Sequence, residues 1–110
     1  MSYTINGVEK DVNEYGYLLE PDFSDEAVQV IAEAEGIALT DNHLAIISYF
    51  RDKYREEGHT PNFRNFMKDM AEILPAVDSK QMYDLFPHDG PAKQAVKIAG
   101  LPKPYGKGGY

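Results

Sequence analysis

From Ser24 onward, apolar residues recur at three- and four-residue intervals, and each such stretch is cut off by a glycine or a proline. That pattern dictates a series of short amphipathic helices, each with one apolar stripe that can be buried only against another element. The spacing predicts a helix over 25–35, with Ser24 as its N-cap, Ala27, Val28, Val30, Ile31 and Ala34 on one face, and Gly36 as its stop. Thr40 caps a longer helix over 41–57, with His43, Ile46, Ile47, Phe50 and Tyr54 along its inner stripe and Gly58 beyond it. Thr60-Pro61 reads as an N-cap followed by proline at the first helical position, opening a helix over 61–74 that carries Phe63, Phe66, Met67, Met70 and Leu74 and is closed by Pro75. Residues 79–86 form a short helix bearing Met82, Leu85 and Phe86. Gly90-Pro91 opens the last helix, with Ala92, Ala95, Val96 and Ala99 inward and Gly100 ending it.

Ahead of these helices the pattern changes. Residues 3–5 and 8–12 flank Asn6-Gly7, the dipeptide best suited to positive φ at both centres of a two-residue hairpin turn. A second turn at Asn13 and Glu14 leads to residues 16–19, which read as a third strand. The expected architecture is therefore α+β and mostly α. A three-stranded antiparallel β-meander over 3–19 packs on an array of about five helices over 24–100. Residues 101–110 contain two prolines and three glycines, which deny a helix and make an extended, flexible arm. The division is one domain over 1–100 and an arm over 101–110.

Charge is unevenly divided. Residues 1–78 hold 6 basic and 16 acidic side chains, and residues 79–110 hold 5 basic and 2 acidic ones. An acidic body repels nucleic acid and anionic lipid, whereas a basic tail can seek a local negative surface. The chain has no cysteine, which removes disulfides, thiolate metal sites, thiol nucleophiles and persulfide chemistry together. The N-terminal segment lacks the basic stretch and apolar run of a signal peptide, and no apolar run approaches the ~20 residues of a bilayer span. A cytoplasmic protein is expected, with no membrane partner.

Few constellations carry chemistry. His43, His59 and His88 fall on different predicted elements without metal-ligand spacing, so no metal and no cofactor is expected. There is no nucleophile elbow, and the glycines around Lys107 lack the strand and helix that a phosphate loop requires. No enzyme in its own right is expected. The helices over 41–57 and 61–74 could imitate a helix-turn-helix, with Arg64 and Lys68 outward, which makes a DNA-binding transcriptional regulator the alternative reading. Against it stands the acidic body, since phosphate contacts supply most of the affinity for DNA. The segment GPAKQAVKIAGLPKP is the most informative. Lys93, Lys97, Lys103 and Lys107 decorate a helix and an arm that lack any acidic side chain. Together with Pro102, Pro104, Tyr105 and Gly106 they form a basic, aromatic mixture suited to docking on a partner.

That segment resembles the signature of the DsrC/TusE family. The matching stretches are Leu85-Phe86-Pro87, residues 90–95 and residues 99–104, with Glu35-Gly36-Ile37, Leu39-Thr40-Asp41, residues 51–54, Gly58 and Pro61 upstream. The resemblance covers essentially the whole chain. It implies a small β-meander packed on helices with a mobile C-terminal arm, and a place in sulfur metabolism: DsrC-type proteins are partners of the dissimilatory sulfite reductase, of which they are also called the gamma subunit, and TusE-type proteins relay persulfide sulfur. Both use a cysteine on the arm, and DsrC proper adds a second on the last helix. Here those positions are Lys107 and Val96. An ammonium cannot carry sulfane sulfur, so the resemblance implies a non-catalytic, regulatory or accessory protein that docks on sulfite-reductase or sulfur-relay partners.

Overall fold

The structure is a computed structural model that describes residues 2–88 and 90–103. Strands β1 (Ser2–Ile5) and β2 (Val8–Asp11) form a two-stranded antiparallel sheet in which Ser2 faces Asp11 and Ile5 faces Val8. Asn6 and Gly7 both take positive φ, 52° and 77°, as the hairpin turn requires. Helices α1 (Asp25–Ala34), α2 (Asp41–Glu57), α3 (Phe63–Ile73), α4 (Ser79–Leu85) and α5 (Pro91–Ile98) follow.

The three-stranded meander is not formed. Residues 16–19 fold back as expected but meet β2's continuation at one bridge, Val12 to Leu18. The cause is local: the Asn13 side chain accepts hydrogen bonds from the amides of Tyr15 and Tyr17, so that of the backbone bonds across the turn the Asn13 amide to the Tyr17 carbonyl at 2.8 Å and the Leu19 amide to the Asp11 carbonyl at 3.2 Å remain. Backbone groups consumed by a side-chain turn are unavailable to a ladder.

Helix α1 begins at its Ser24 cap, whose hydroxyl accepts from the Ala27 amide, and α2 begins at Thr40. There the His43 Nδ1 accepts from the Thr40 amide at 3.1 Å, which places the ring proton on Nε2, 2.7 Å from the Leu85 carbonyl. One imidazole thus caps α2 and ties it to the end of α4, with its edge against Phe86. Helix α3 starts two residues later than the Thr60-Pro61 pair suggests. Asn62 is the cap, its side chain accepting from the Asn65 amide at 2.8 Å, while Thr60 and Pro61 are buried in the connection.

The core centres on α5, which packs against α1, α2 and α4, while α1 also covers β1. Phe50, Phe66, Phe86, Ile31, Ile46 and Met82 are fully enclosed, and the rings of Phe50 and Phe66 stack at 4.9 Å. Among the α5 residues only Lys93 is exposed. A helix this short and alanine-rich lets neighbours approach from every side, so it is enclosed all round where periodicity predicts a single inward stripe.

Candidate functional site

Val96, the position at which the resemblance places a second cysteine, is 0% exposed in the middle of this core. Exchanging Val for a thiol-bearing residue of nearly equal volume is expected to cost less than about 1.5 kcal/mol. Val96→Cys should therefore keep a cooperative unfolding transition by circular dichroism, with a thiol that reacts with a disulfide reagent only after denaturant is added.

At the next residue, the lysine expected on the docking face lies inside. Lys97 is 7% exposed, and it does have a counter-charge: its Nζ lies 3.2 Å from Glu35 Oε1 and 5.4 Å from the centre of the Tyr17 ring. The Gln94 side chain donates to the same carboxylate at 3.3 Å and accepts from the His88 amide at 3.0 Å. Burial, then the Glu35 charge, push the nearby Tyr3 hydroxyl up from its ordinary value. The Tyr17 hydroxyl donates to the Lys93 carbonyl at 3.1 Å, pinning the 13–18 turn to α5. A buried ammonium is tolerated only when paired and hydrogen-bonded, and this cluster supplies both.

The exit of the C-terminal arm is built as a clamp. Arg51, 8% exposed on α2, donates from Nε to the Ala99 carbonyl at 2.7 Å, from Nη1 to Phe23 at 3.0 Å, and from Nη2 to Asp22 at 3.1 Å and Ser24 at 3.0 Å. Four carbonyls from two distant segments thus share one guanidinium, whose planar fork suits such a fan. Burial and the neighbouring Arg55 charge pull Arg51 down from the usual arginine value, opposed by Asp25 and Asp22. The Asp22 amide donates to the Gly100 carbonyl at 2.8 Å, and Gly100 takes φ +78° so closely against this strap that a Cβ would lie 2.3 Å from the Asp22 oxygen. Burial raises the Asp22 carboxyl, but hydrogen bonds from Ser24 and the charges of Lys10 and Arg51 outweigh it and hold the group below its usual range.

Leu101, the first residue of the expected arm, is 0% exposed, and its amide bonds to the Val96 carbonyl at 3.3 Å. The chain emerges at Pro102 and Lys103, beside a groove of about 170 Å³ shared with Leu19, Pro21, Tyr54 and His59. The Lys103 ammonium sits 4.5 Å from the centre of the exposed Tyr15 ring. Lys93, Pro102 and Lys103 thus keep accessible surface. Pro104, Tyr105, Gly106 and Lys107 lie outside the described residues.

The helix pair behind the DNA-binding alternative presents a different surface. Arg64 and Lys68 are exposed on α3, yet the groove between α2 and α3 is walled by Asp52, Glu56, Asp69 and Glu72, with Lys53 the one cation among its lining. The Tyr49 hydroxyl donates to Asp69 at 2.5 Å there, and burial with that carboxylate drives the phenol upward. Such a face repels phosphate.

Arg51 and Glu35 carry most of this geometry, and neither was singled out from the residues alone. A signal existed for Arg51: it lies four residues after Ile47 and three before Tyr54, in register with the inner stripe. Glu35 gives none, being the last residue before a helix-ending glycine.

Comparison with known proteins gives a consistent picture. The family model described as "DsrC like protein" matches residues 4–107. The chain is 46% identical over 103 residues to the "Sulfurtransferase TusE homolog" of Haemophilus influenzae, covering 91% of this chain and 94% of that protein. It is also 46% identical over 92 residues to the sulfurtransferase TusE of Pectobacterium atrosepticum, covering 81% and 84%. Among solved structures it is similar to Allochromatium vinosum DsrC (TM-score 0.84, 38% identity, covering 97% of this chain and 99% of that one). It is likewise similar to the oxidized gamma-subunit of the dissimilatory sulfite reductase, DsrC, from Archaeoglobus fulgidus (TM-score 0.84, 33% identity, covering 96% and 98%).

Proposed function

This chain belongs to the DsrC-like family, and on that premise we propose that it is a non-catalytic member that docks on sulfite-reductase or sulfur-relay partners and acts there as a regulatory or accessory protein. The observation that carries the reading is a division within one site. The root of the arm is held by the Arg51 guanidinium and by Gly100, at which a Cβ would clash with the Asp22 carbonyl, while a chain of 110 residues contains no thiol that could take up sulfane sulfur. Persulfide formation needs a sulfur nucleophile, and neither a buried valine nor an ammonium offers one. The docking residues are Lys93 in the first turn of α5 and Pro102 and Lys103 at the exit, followed along the chain by Pro104, Tyr105, Gly106 and Lys107. Lys97 supports α5 from within. The chain works in the cytoplasm, without metal or cofactor. No described helix is long and apolar enough to cross a membrane.

The test is capture of purified sulfite-reductase and sulfur-relay proteins by the full chain and by a chain ending at Lys103, which keeps the core residue Leu101. Full-length protein is expected to retain a partner that the shortened chain loses by tenfold or more, roughly the value of one or two charge-assisted contacts. Equal capture by both, or sulfane sulfur found covalently on the full chain after incubation with a persulfidated relative, would defeat the reading.

A further inference from the structure

On the side of the molecule formed by α1 and α2, an open groove of about 560 Å³ combines an apolar floor with two guanidinium groups. Val28 and Ile47 form the floor, and Leu44 stands at the rim 46% exposed. Arg51 and Arg55 both lie over the Phe23 ring, 5.9 and 4.4 Å from its centre. These are two of the six basic side chains in residues 1–78, gathered on a body with 16 acidic ones. Arg51 has five N–H donors and gives four to carbonyls, so one Nη1 hydrogen is without a carbonyl among the described residues. Besides the Phe23 ring, Arg55 is paired among the described residues with Asp52 at 3.7 Å, with both side chains more than half exposed, a pairing of little energetic weight.

We infer that this groove is a docking surface for a peptide segment of a partner protein that presents a carboxylate beside aliphatic side chains, the carboxylate on Arg55 and Arg51 and the aliphatic groups on Leu44, Ile47 and Val28. Charge complementarity selects the carboxylate, and the floor selects the aliphatic group. A nucleic acid fits worse. Asp25 lines the same groove and Asp52 adjoins Arg55, so a polyanion would meet more repulsion than one carboxylate does, and phosphodiesters gain nothing from an apolar floor. The groove shares Arg51 with the clamp at the arm's root but opens on the α1–α2 side, and the arm-docking function is not among its premises, so this inference goes beyond that function.

Arg51 is unsuited to a test because its loss would free the arm's root, whereas Arg55 is exposed and, among the described residues, meets the Phe23 ring and Asp52. The experiment titrates isotope-labelled full-length protein with acetyl-Gly-Leu-Glu-Leu-Gly-amide, following Val28, Leu44 and Ile47 methyls and the Arg55 Nε by NMR. Saturable shifts confined to these groups are expected. Binding should weaken roughly tenfold with the glutamine version of the peptide and with Arg55→Glu, while Arg64→Glu, outside the groove, binds as wild type does. The inference is overturned if shifts fall elsewhere, if no shift occurs up to about 10 mM peptide, or if the glutamine peptide binds equally well. Tighter binding of an eight-residue uridylate oligonucleotide at the same groups would also overturn it, making the groove a nucleic-acid surface.

Discussion

Replacing Arg51 with methionine is expected to lower the free energy of unfolding by about 3 kcal/mol, the largest loss from any side chain outside the apolar core. Methionine keeps the apolar stem and removes the donors. The Ala99 carbonyl, an orphan acceptor at the end of α5, then loses its partner in a buried setting, at a cost of about 1–3 kcal/mol. The Asp22, Phe23 and Ser24 carbonyls lie nearer water and recover part of their hydrogen bonding, adding roughly 0.5 kcal/mol each. Relief of the guanidinium's own desolvation offsets some of this. With a urea m-value of about 1.5 kcal/mol/M, the midpoint should fall by about 2 M, and the Gly100 and Leu101 amides should exchange faster. Arg51→Lys should lose most of the same energy, because an ammonium cannot reach four carbonyls splayed in a plane. A midpoint within about 0.5 M of wild type would mean that the clamp is incidental to stability.

The second large effect concerns Gly100. Substitution by alanine forces a Cβ to within 2.3 Å of the Asp22 carbonyl oxygen at a residue with φ +78°. The left-handed conformation alone costs about 1 kcal/mol for alanine. The clash must then be relieved by moving backbone, at the expense of the 2.8 Å bond from the Asp22 amide and of the adjacent Arg51 contacts. A total near 3 kcal/mol is expected. Two glycines in the same structure supply the control. Gly36 and Gly58 have φ of 74° and 77° with nothing within 4 Å of an added Cβ, so their alanine variants should show only the conformational ~1 kcal/mol. Chemical denaturation of the three variants separates the terms, and a Gly100→Ala loss no greater than that of Gly58→Ala would refute the close-approach argument. The same variant should weaken partner capture at the arm even where the fold persists, since the strap sets the direction in which residue 102 leaves the body.

Much of this architecture is legible in the chain as text. Alternation of apolar residues and helix-stopping glycines placed α1 and α2 to within a residue of their observed bounds, and Asn6-Gly7 placed the hairpin. These are local properties, decided within a few residues by backbone sterics and one side-chain stripe. The third strand failed on equally local chemistry, because Asn13 turns its side chain onto the amides that pairing would need. The start of α3 shifted because Asn62 competes with Thr60 for the cap, and Pro61, which lies between them, does not arbitrate.

The sequence by itself determined the set of elements, the acidic body with its basic end, and the absence of any thiol, because each follows from residue identity or from spacing inside one segment. Only the tertiary structure decided that Lys97 faces inward, that Leu101 belongs to the core, and that Arg51 grips the end of α5. Those outcomes depend on partners far along the chain, 48 residues from Arg51 to Ala99 and 59 from Gln94 to Glu35. An alanine-rich helix offers several faces to its neighbours with little to choose between them. Which face receives a lysine is settled by the carboxylate waiting opposite, and that is a fact of packing.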